Sequence, residues 1–96
     1  PAVTTGGIRY QALRWGKERN LGQNGGYIVA IDEATGKELW LLKIYPVTYN
    51  EALEGDKQDV FITDISTRWF SNSLTIENER GECFTLDLDS RTVHKK

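Results

Sequence analysis

The residue types that most enzymes use for catalysis are scarce in this sequence. His94 is the only histidine, and it stands near the carboxyl end, in a tail that we expect to fray. A general base needs a rigid mount, so we expect no Ser-His-Asp or Cys-His set and no catalytic residue. Cys83 is the only cysteine, which excludes an intramolecular disulfide and a cysteine-based metal cluster. We therefore predict a protein that is not an enzyme.

Carboxylates are the remaining candidates for metal or acid–base chemistry. Five acidic residues lie close together in the sequence: Glu51, Glu54, Asp56, Asp59 and Asp64. Oxygen ligands suit calcium or magnesium, but this spacing does not match an EF-hand loop. Helix capping and solvated surface charge explain the cluster, so we predict no metal site. The loop glycines lack the spacing and the following helix of a phosphate loop, and we predict no cofactor.

Aromatic rings and positive charges occur together in the amino-terminal third. Residues 1–26 hold four basic residues and one acidic residue, a net charge of +3, whereas residues 27–96 hold eight and thirteen, a net charge of −5. A single-stranded nucleic-acid surface combines stacking rings with cations that neutralise phosphates. The residues that would form such a surface are Tyr10, Arg14, Lys17 and Arg19. An ordinary first strand followed by a polar loop has the same composition.

A second group of rings stands in a break between two strand patterns, at Arg68, Trp69 and Phe70. Neighbouring residues of a strand face opposite sides, so the two rings cannot both point inward. Trp, Phe and Arg are enriched at protein interfaces. Together with Trp15, these residues predict an interaction surface. Packing of the rings over one end of a barrel is the alternative.

Alternation of apolar and polar residues dominates the chain and predicts β-strands. Turn residues separate the strands, most clearly at 33–36 and 78–81. The predicted strands span residues 8–15, 26–32, 37–47, 58–66, 74–77, 82–88 and 92–93. Residues 16–26 are a long loop. Asn50 as an N-cap and Gly55 as a stop predict one short helical turn over residues 50–55.

The length of 96 residues, 39% of them apolar, leaves room for a single domain over residues 1–96. Short hairpin links favour a mainly β antiparallel meander of about 5–7 strands that curls into a barrel-like roll. We expect residues 1–7 and 94–96 to fray. No apolar run reaches the ~20 residues of a membrane span and no signal peptide is visible, so we expect a cytoplasmic protein without a membrane partner.

One hairpin of the sequence, Gly-Tyr-Ile-Val-Ala-Ile-Asp-Glu-Ala-Thr-Gly-Lys-Glu-Leu-Trp at residues 26–40, resembles a repeat of the quinoprotein-like (PQQ-type) β-propeller family. The matching positions are Ala30, Asp32, Thr35, Gly36 and Trp40. The resemblance implies a hairpin. It occurs once and implies neither a propeller nor quinone binding, since that cofactor site is assembled from many blades. With the strand at 59–63, the hairpin also resembles small uncharacterised bacterial proteins, which implies no function.

These observations favour a non-enzymatic protein-binding or self-assembly module, whose partner is another protein or a second copy in a homodimer. An exposed sheet edge and aromatic rings would form its surface, with Trp69, Phe70, Arg68 and Trp15 as the interaction residues. Single-stranded nucleic-acid binding through the amino-terminal third is one alternative. Small-molecule binding or an unrecognised hydrolase activity is another, and a hydrolase would need a cleft that brings carboxylates together.

Overall fold

The computed structural model describes residues 1–50, 52, 58–68 and 70–96. Within these residues the chain forms eight β-strands and one short 3-10 helix, at Gly16–Arg19. The strands are β1 Ala2–Thr5, β2 Ile8–Leu13, β3 Tyr27–Asp32, β4 Glu38–Lys43, β5 Ile62–Thr67, β6 Ser73–Asn78, β7 Cys83–Asp87 and β8 Thr92–Lys95.

The strands form two separate antiparallel sheets, each with its strands in chain order. Sheet A contains β1 to β4, and sheet B contains β5 to β8. The mainly β antiparallel class is confirmed, but the prediction of one meander closed into a barrel-like roll is wrong. The chain leaves sheet A after β4 and passes through residues 44–61 before β5 begins, so the ladder of strand pairing is interrupted there.

The prediction of about 5–7 strands missed the strand at the amino end. Residues 2–5, where we expected fraying, pair with β2 from Ala2↔Gln11 to Thr5↔Ile8. The turn between them uses Gly6 and Gly7, both with positive φ, which glycine adopts without steric cost. At the other end, β8 extends to Lys95 and pairs with β7. Both segments are ordered by ladder hydrogen bonds from a neighbouring strand, which alternation alone does not reveal.

One hydrophobic core lies between the two sheets. Its fully buried members include Ile28 and Ala30 from sheet A and Leu74, Ile76 and Leu86 from sheet B. Burying each of the larger side chains contributes roughly 1.5–3 kcal/mol. The segment between the sheets also contributes to the core. There the Tyr45 ring stacks on Phe84 of β7, with ring centroids 5.3 Å apart.

The faces of the two sheets that point away from this core differ. In β3, Tyr27 and Val29 alternate with Ile28 and Ala30 and therefore point outward, yet each is only 4% exposed. The loop between β2 and β3, residues 14–26, covers part of this side, at Tyr27 and Glu38. A Cβ on Gly16 would meet the Tyr27 ring at 2.8 Å, and Arg19 donates a hydrogen bond of 2.8 Å to Glu38 of β4. The loop thus packs against the outward side of sheet A.

Two hairpin turns, one in each sheet, have the same local structure. In the β3–β4 turn, Oδ1 of Asp32 accepts hydrogen bonds from the amides of Ala34 and Thr35 at 2.9 and 3.3 Å. In the β7–β8 turn, Oδ1 of Asp87 accepts from the amides two and three residues later at 2.9 and 3.2 Å. The fifth position has positive φ in both turns, 76° at Gly36 and 56° at Arg91.

Two bulges interrupt the regular pairing. One shifts the register of β3 against β4 between Ala30 and Ile31, and the other shifts β5 against β6 between Ile62 and Asp64. The second bulge changes the faces that alternation predicts for β5. Ile65, expected on the face opposite Ile62, joins it in the core.

The helical turn predicted at residues 50–55 lies mostly outside the described residues. Asn50 is described, and its Oδ1 accepts a hydrogen bond of 2.9 Å from the Ala52 amide. In the part of the chain that the structure describes, no helix has the length and apolar character needed to cross a membrane.

Candidate interaction surface

A half-exposed tryptophan lies at the end of β2 and forms the centre of the candidate site. Trp15 is 49% exposed, and its ring meets the Phe61 ring edge-on with centroids 5.7 Å apart. The Arg14 guanidinium carbon lies 4.5 Å from the Phe61 ring centroid and 5.7 Å from that of Trp15. We call Arg14, Trp15 and Phe61 the Trp15 surface. Cation–π contacts of this kind orient the guanidinium at a modest gain of about 0.5–1 kcal/mol when exposed.

Phe61 is held in place by its backbone and by a glycine beneath its ring. Its amide donates to the Glu79 carboxylate at 2.7 Å, and its carbonyl accepts from the Glu79 amide at 3.0 Å. A Cβ on Gly25 would clash with the Val60 carbonyl oxygen and approach Cδ1 of Phe61 to 2.9 Å. Only glycine lets the loop backbone pack this closely. The backbone of Phe61 and its contact with the loop at Gly25 are therefore fixed within the fold.

A buried glutamine ties the loop to the segment that follows β4. Gln23 is 3% exposed, and its Nε2 donates to the carbonyl oxygens of Gly25 and Tyr45, each at 2.8 Å. Its Oε1 accepts from the Val47 amide at 2.8 Å. The Tyr45 hydroxyl in turn donates to the Val60 carbonyl at 2.6 Å. Burial raises the pKa of Tyr45 above its ordinary range, so this hydroxyl stays protonated and acts as a structural donor.

A polar network lies on the other side of the same loop. The Tyr49 hydroxyl donates to Asp59 at 2.6 Å, and the Asn24 side chain donates to the second oxygen of Asp59 at 3.1 Å. The Lys17 ammonium lies 3.9 Å from the centroid of the Tyr49 ring. Burial and the hydrogen bond to Asp59 raise the pKa of Tyr49. Because both carboxylate oxygens accept hydrogen bonds within the protein, the network braces the loop.

A small cavity opens beside the Trp15 surface. Its volume is about 100 Å³, and its lining residues are Pro1, Ala12, Leu13, Arg14, Phe61 and Ile62. Pockets for drug-sized ligands usually measure about 300–1,000 Å³. The cavity is therefore too small for a drug-sized ligand and large enough for about one side chain.

The four residues predicted for a nucleic-acid surface do not lie together on one surface. Tyr10 is only 5% exposed and packs against Trp40 with ring centroids 5.9 Å apart, because its position in β2 faces the core. Nη1 of Arg19 donates hydrogen bonds of 2.8 and 3.1 Å to the two carboxylate oxygens of Glu38, so the charge of Arg19 is already paired. Arg14 and Lys17 remain exposed next to aromatic rings.

The predicted interaction residues are placed at two ends of one strand. Phe70 is 62% exposed, and the Arg68 guanidinium carbon lies 4.8 Å from its ring centroid. Trp69 lies outside the described residues. Phe61 precedes the six-residue strand β5 and Arg68 follows it, which separates the two groups by about 20 Å. Sequence reasoning missed Phe61, whose place in an alternating strand gave no sign that its ring meets Trp15.

The remaining chemical candidates that the structure describes include His94 and Asp64, which lie on the two edge strands of sheet B. His94 is exposed on β8 and pairs with Thr85, while Asp64 is exposed on β5. Glu51, Glu54 and Asp56 lie outside the described residues. Among the residues that are described, no three His, Cys, Asp or Glu side chains lie close enough together to hold a metal ion.

Comparison with protein-family models, curated proteins and solved structures finds no match to this chain. The resemblance of residues 26–40 to a PQQ-type propeller repeat therefore stays a prediction. In the structure these residues form the β3–β4 hairpin of sheet A.

Proposed function

We propose that this protein is a non-enzymatic protein-binding module that contacts its partner through the Trp15 surface. The observation that carries the proposal is a half-exposed Trp15 held edge-on by Phe61, with the Arg14 guanidinium lying over both rings. Trp and Arg are the side chains that most often dominate binding energy at protein interfaces. Burying this ring against a partner would remove apolar area from water.

The rigidity of the Trp15 surface supports the same proposal. Gln23 is buried and makes three hydrogen bonds, one within the loop to residue 25 and two that tie the loop to residues 45 and 47. Phe61 is held by Glu79 through two hydrogen bonds. A surface that is already ordered loses little conformational freedom on binding, so more of its contact energy appears as affinity.

Selection from an unbiased displayed-peptide library tests the proposal. We expect selected peptides to bind the wild-type chain and to lose at least tenfold in affinity with Trp15→Ala, since a hot-spot tryptophan costs about 2 kcal/mol or more on truncation. Phe70→Ala is the matched control, because it removes an exposed ring that also has a guanidinium over it. A library that yields only binders indifferent to Trp15→Ala overturns the proposal.

Two further measurements separate this proposal from its alternatives. A thymidine oligonucleotide that binds at low salt, and loses affinity as salt rises, would favour a nucleic-acid surface built on Arg14 and Lys17. Light scattering at high protein concentration reports whether a second copy is the partner. We expect neither oligonucleotide binding nor a dimer that Trp15→Ala dissociates.

A further inference from the structure

We infer that the partner of the Trp15 surface presents an aliphatic side chain and a carboxylate side by side, as an extended segment does at positions two residues apart. The aliphatic side chain enters the cavity beside Phe61, and the carboxylate pairs with Arg14. This inference rests on the proposed function and adds to it the chemistry of the partner.

The size of the cavity and its apolar lining residues favour a small aliphatic group. Its volume is about 100 Å³, and four of its lining residues, Ala12, Leu13, Phe61 and Ile62, are apolar. An engineered apolar cavity of about 150 Å³ holds a benzene-sized guest. The smaller space here is suited to a leucine-sized or smaller side chain and too small for a fused ring.

The charge at the rim of the cavity selects a carboxylate. Arg14 lines the cavity, and among the described residues its guanidinium contacts the Phe61 and Trp15 rings without an acidic partner. Arg9 and Arg19 contact Glu33 and Glu38 instead. Arg68 and Arg91 also lie over rings without an acidic partner among the described residues, but neither of them lines the cavity. A guanidinium over a ring keeps N–H groups available to donate, and a carboxylate accepts two of them in a bidentate pair.

The closeness of these two features sets the spacing in the partner. Arg14 both lines the cavity and provides the charge, so the two contacts lie side by side. In an extended chain the side chains at i and i+2 point to the same side, about 7 Å apart. An aliphatic residue at i and an aspartate or glutamate at i+2 therefore meet the cavity and Arg14 together.

Four synthetic peptides of equal length test the inference by calorimetric titration. They carry Leu and Asp, Leu and Asn, Ala and Asp, or Leu and Lys at positions i and i+2 of an otherwise constant polar sequence. We expect the Leu/Asp peptide to bind most tightly. Replacing Asp by Asn should weaken binding about tenfold through loss of a charge-assisted pair, and replacing Leu by Ala about tenfold or more through an unfilled cavity.

Variants of the protein assign each effect to its residue. With Arg14→Gln, the Leu/Asp and Leu/Asn peptides should bind equally, while the preference for Leu over Ala persists. With Ala12→Val, which narrows the cavity, the preference for Leu over Ala should fall and the preference for Asp should remain. Lys43→Gln, which removes an exposed cation on β4, is the control and should change neither preference.

The outcomes separate the two claims. Equal binding of the Asp and Asn peptides to the wild-type chain, or a preference for Asp that survives Arg14→Gln, overturns the inference. If the displayed library nevertheless yields Trp15-dependent binders of another composition, the proposed function stands and the partner chemistry is wrong. If it yields none that depend on Trp15, both fail.

Discussion

Sheet A and sheet B bury their inward faces in the same core, but their outward faces are built differently. In β3 of sheet A, Tyr27, Ile28, Val29 and Ala30 are all buried, so the strand is covered on both sides. In the central strands β6 and β7 of sheet B, buried residues alternate with half-exposed or exposed ones such as Thr75. In sheet A, the loop between β2 and β3 covers part of the outward face, a role that helices or a second sheet have in many folds.

We expect the largest difference between the sheets in the free energy of unfolding when valine and threonine, which have nearly the same shape, replace each other on the outward faces. Val29→Thr places a hydroxyl on the outward side of β3, where the residue is 4% exposed, and should lower the free energy of unfolding by about 1–3 kcal/mol. Thr75→Val, at a half-exposed position of β6, should change it by less than about 0.5 kcal/mol. Urea unfolding followed by circular dichroism measures both.

The inward faces supply the control for this exchange. Ile28→Val in sheet A and Ile76→Val in sheet B remove one methylene group from fully buried side chains and should each cost about 0.5–1.5 kcal/mol. If the two inward variants lose equal amounts of stability while the two outward variants do not, the difference between the sheets lies in their outward faces. A Val29→Thr variant as stable as the wild type would show that water reaches the outward face of sheet A.

The two equivalent turns allow a smaller and more local comparison. Gly36→Ala should destabilise the β3–β4 turn by about 1 kcal/mol, because alanine resists the positive φ of 76°. In the β7–β8 turn a side chain already occupies the equivalent position, at Arg91 with φ of 56°. Arg91→Gly should therefore be more stable than Arg91→Ala by about 1 kcal/mol.

Comparing the two Arg91 variants with each other isolates the backbone effect, since both lose the contact of the guanidinium with the Trp40 ring, 5.1 Å away. The measurement is the urea concentration at the midpoint of unfolding for the wild type, Gly36→Ala, Arg91→Gly and Arg91→Ala. If Arg91→Gly and Arg91→Ala unfold at the same urea concentration, the β7–β8 turn does not need the positive φ that the β3–β4 turn needs at Gly36.

Acid should weaken sheet B through one partly exposed carboxylate, and this is the smallest effect that we expect. Hydrogen bonds from Lys95 at 2.6 Å and from Asn78 at 3.0 Å lower the pKa of Glu82. A carboxyl group whose pKa is lower in the folded state stabilises the fold above its ordinary pKa of 4.5, and that contribution is lost as the pH falls below it.

Urea midpoints measured between pH 6 and pH 3 test this linkage, with Glu82→Gln as the variant that cannot titrate at this position. The wild type should lose more stability over that interval than Glu82→Gln does. Parallel curves for the two proteins would contradict the contribution of Glu82.

How much of the fold the sequence reveals differs between the two sheets for the same physical reason. In sheet B, alternation predicted strands at 74–77 and 82–88, close to the observed β6 and β7, because one face is wet and the other buried. In sheet A the hairpin over 26–40 was readable from its turn residues. The cover over its outward face was not, since it depends on Arg19 reaching Glu38, a residue distant in the sequence.

Two of the three residues of the Trp15 surface were predicted from the sequence. Trp15 and Arg14 stood out as a ring and a cation next to a loop. Their partner Phe61 did not, because the position of its ring depends on the close approach of Gly25 and on two hydrogen bonds with Glu79. Contacts between residues so far apart in the chain leave no local pattern.

The bulge between β3 and β4 has a consequence for how the protein behaves at high concentration. β4 is an edge strand with an apolar sequence, Leu39 to Leu42, and such an edge is a template on which strands of other molecules add to grow fibres. The bulge increases the local twist, Glu38 and Lys43 place a charge at each end of the strand, and Pro46 withholds an amide just beyond it. We expect these features to oppose the addition of strands from other molecules along β4, the edge strand of sheet A among the described residues.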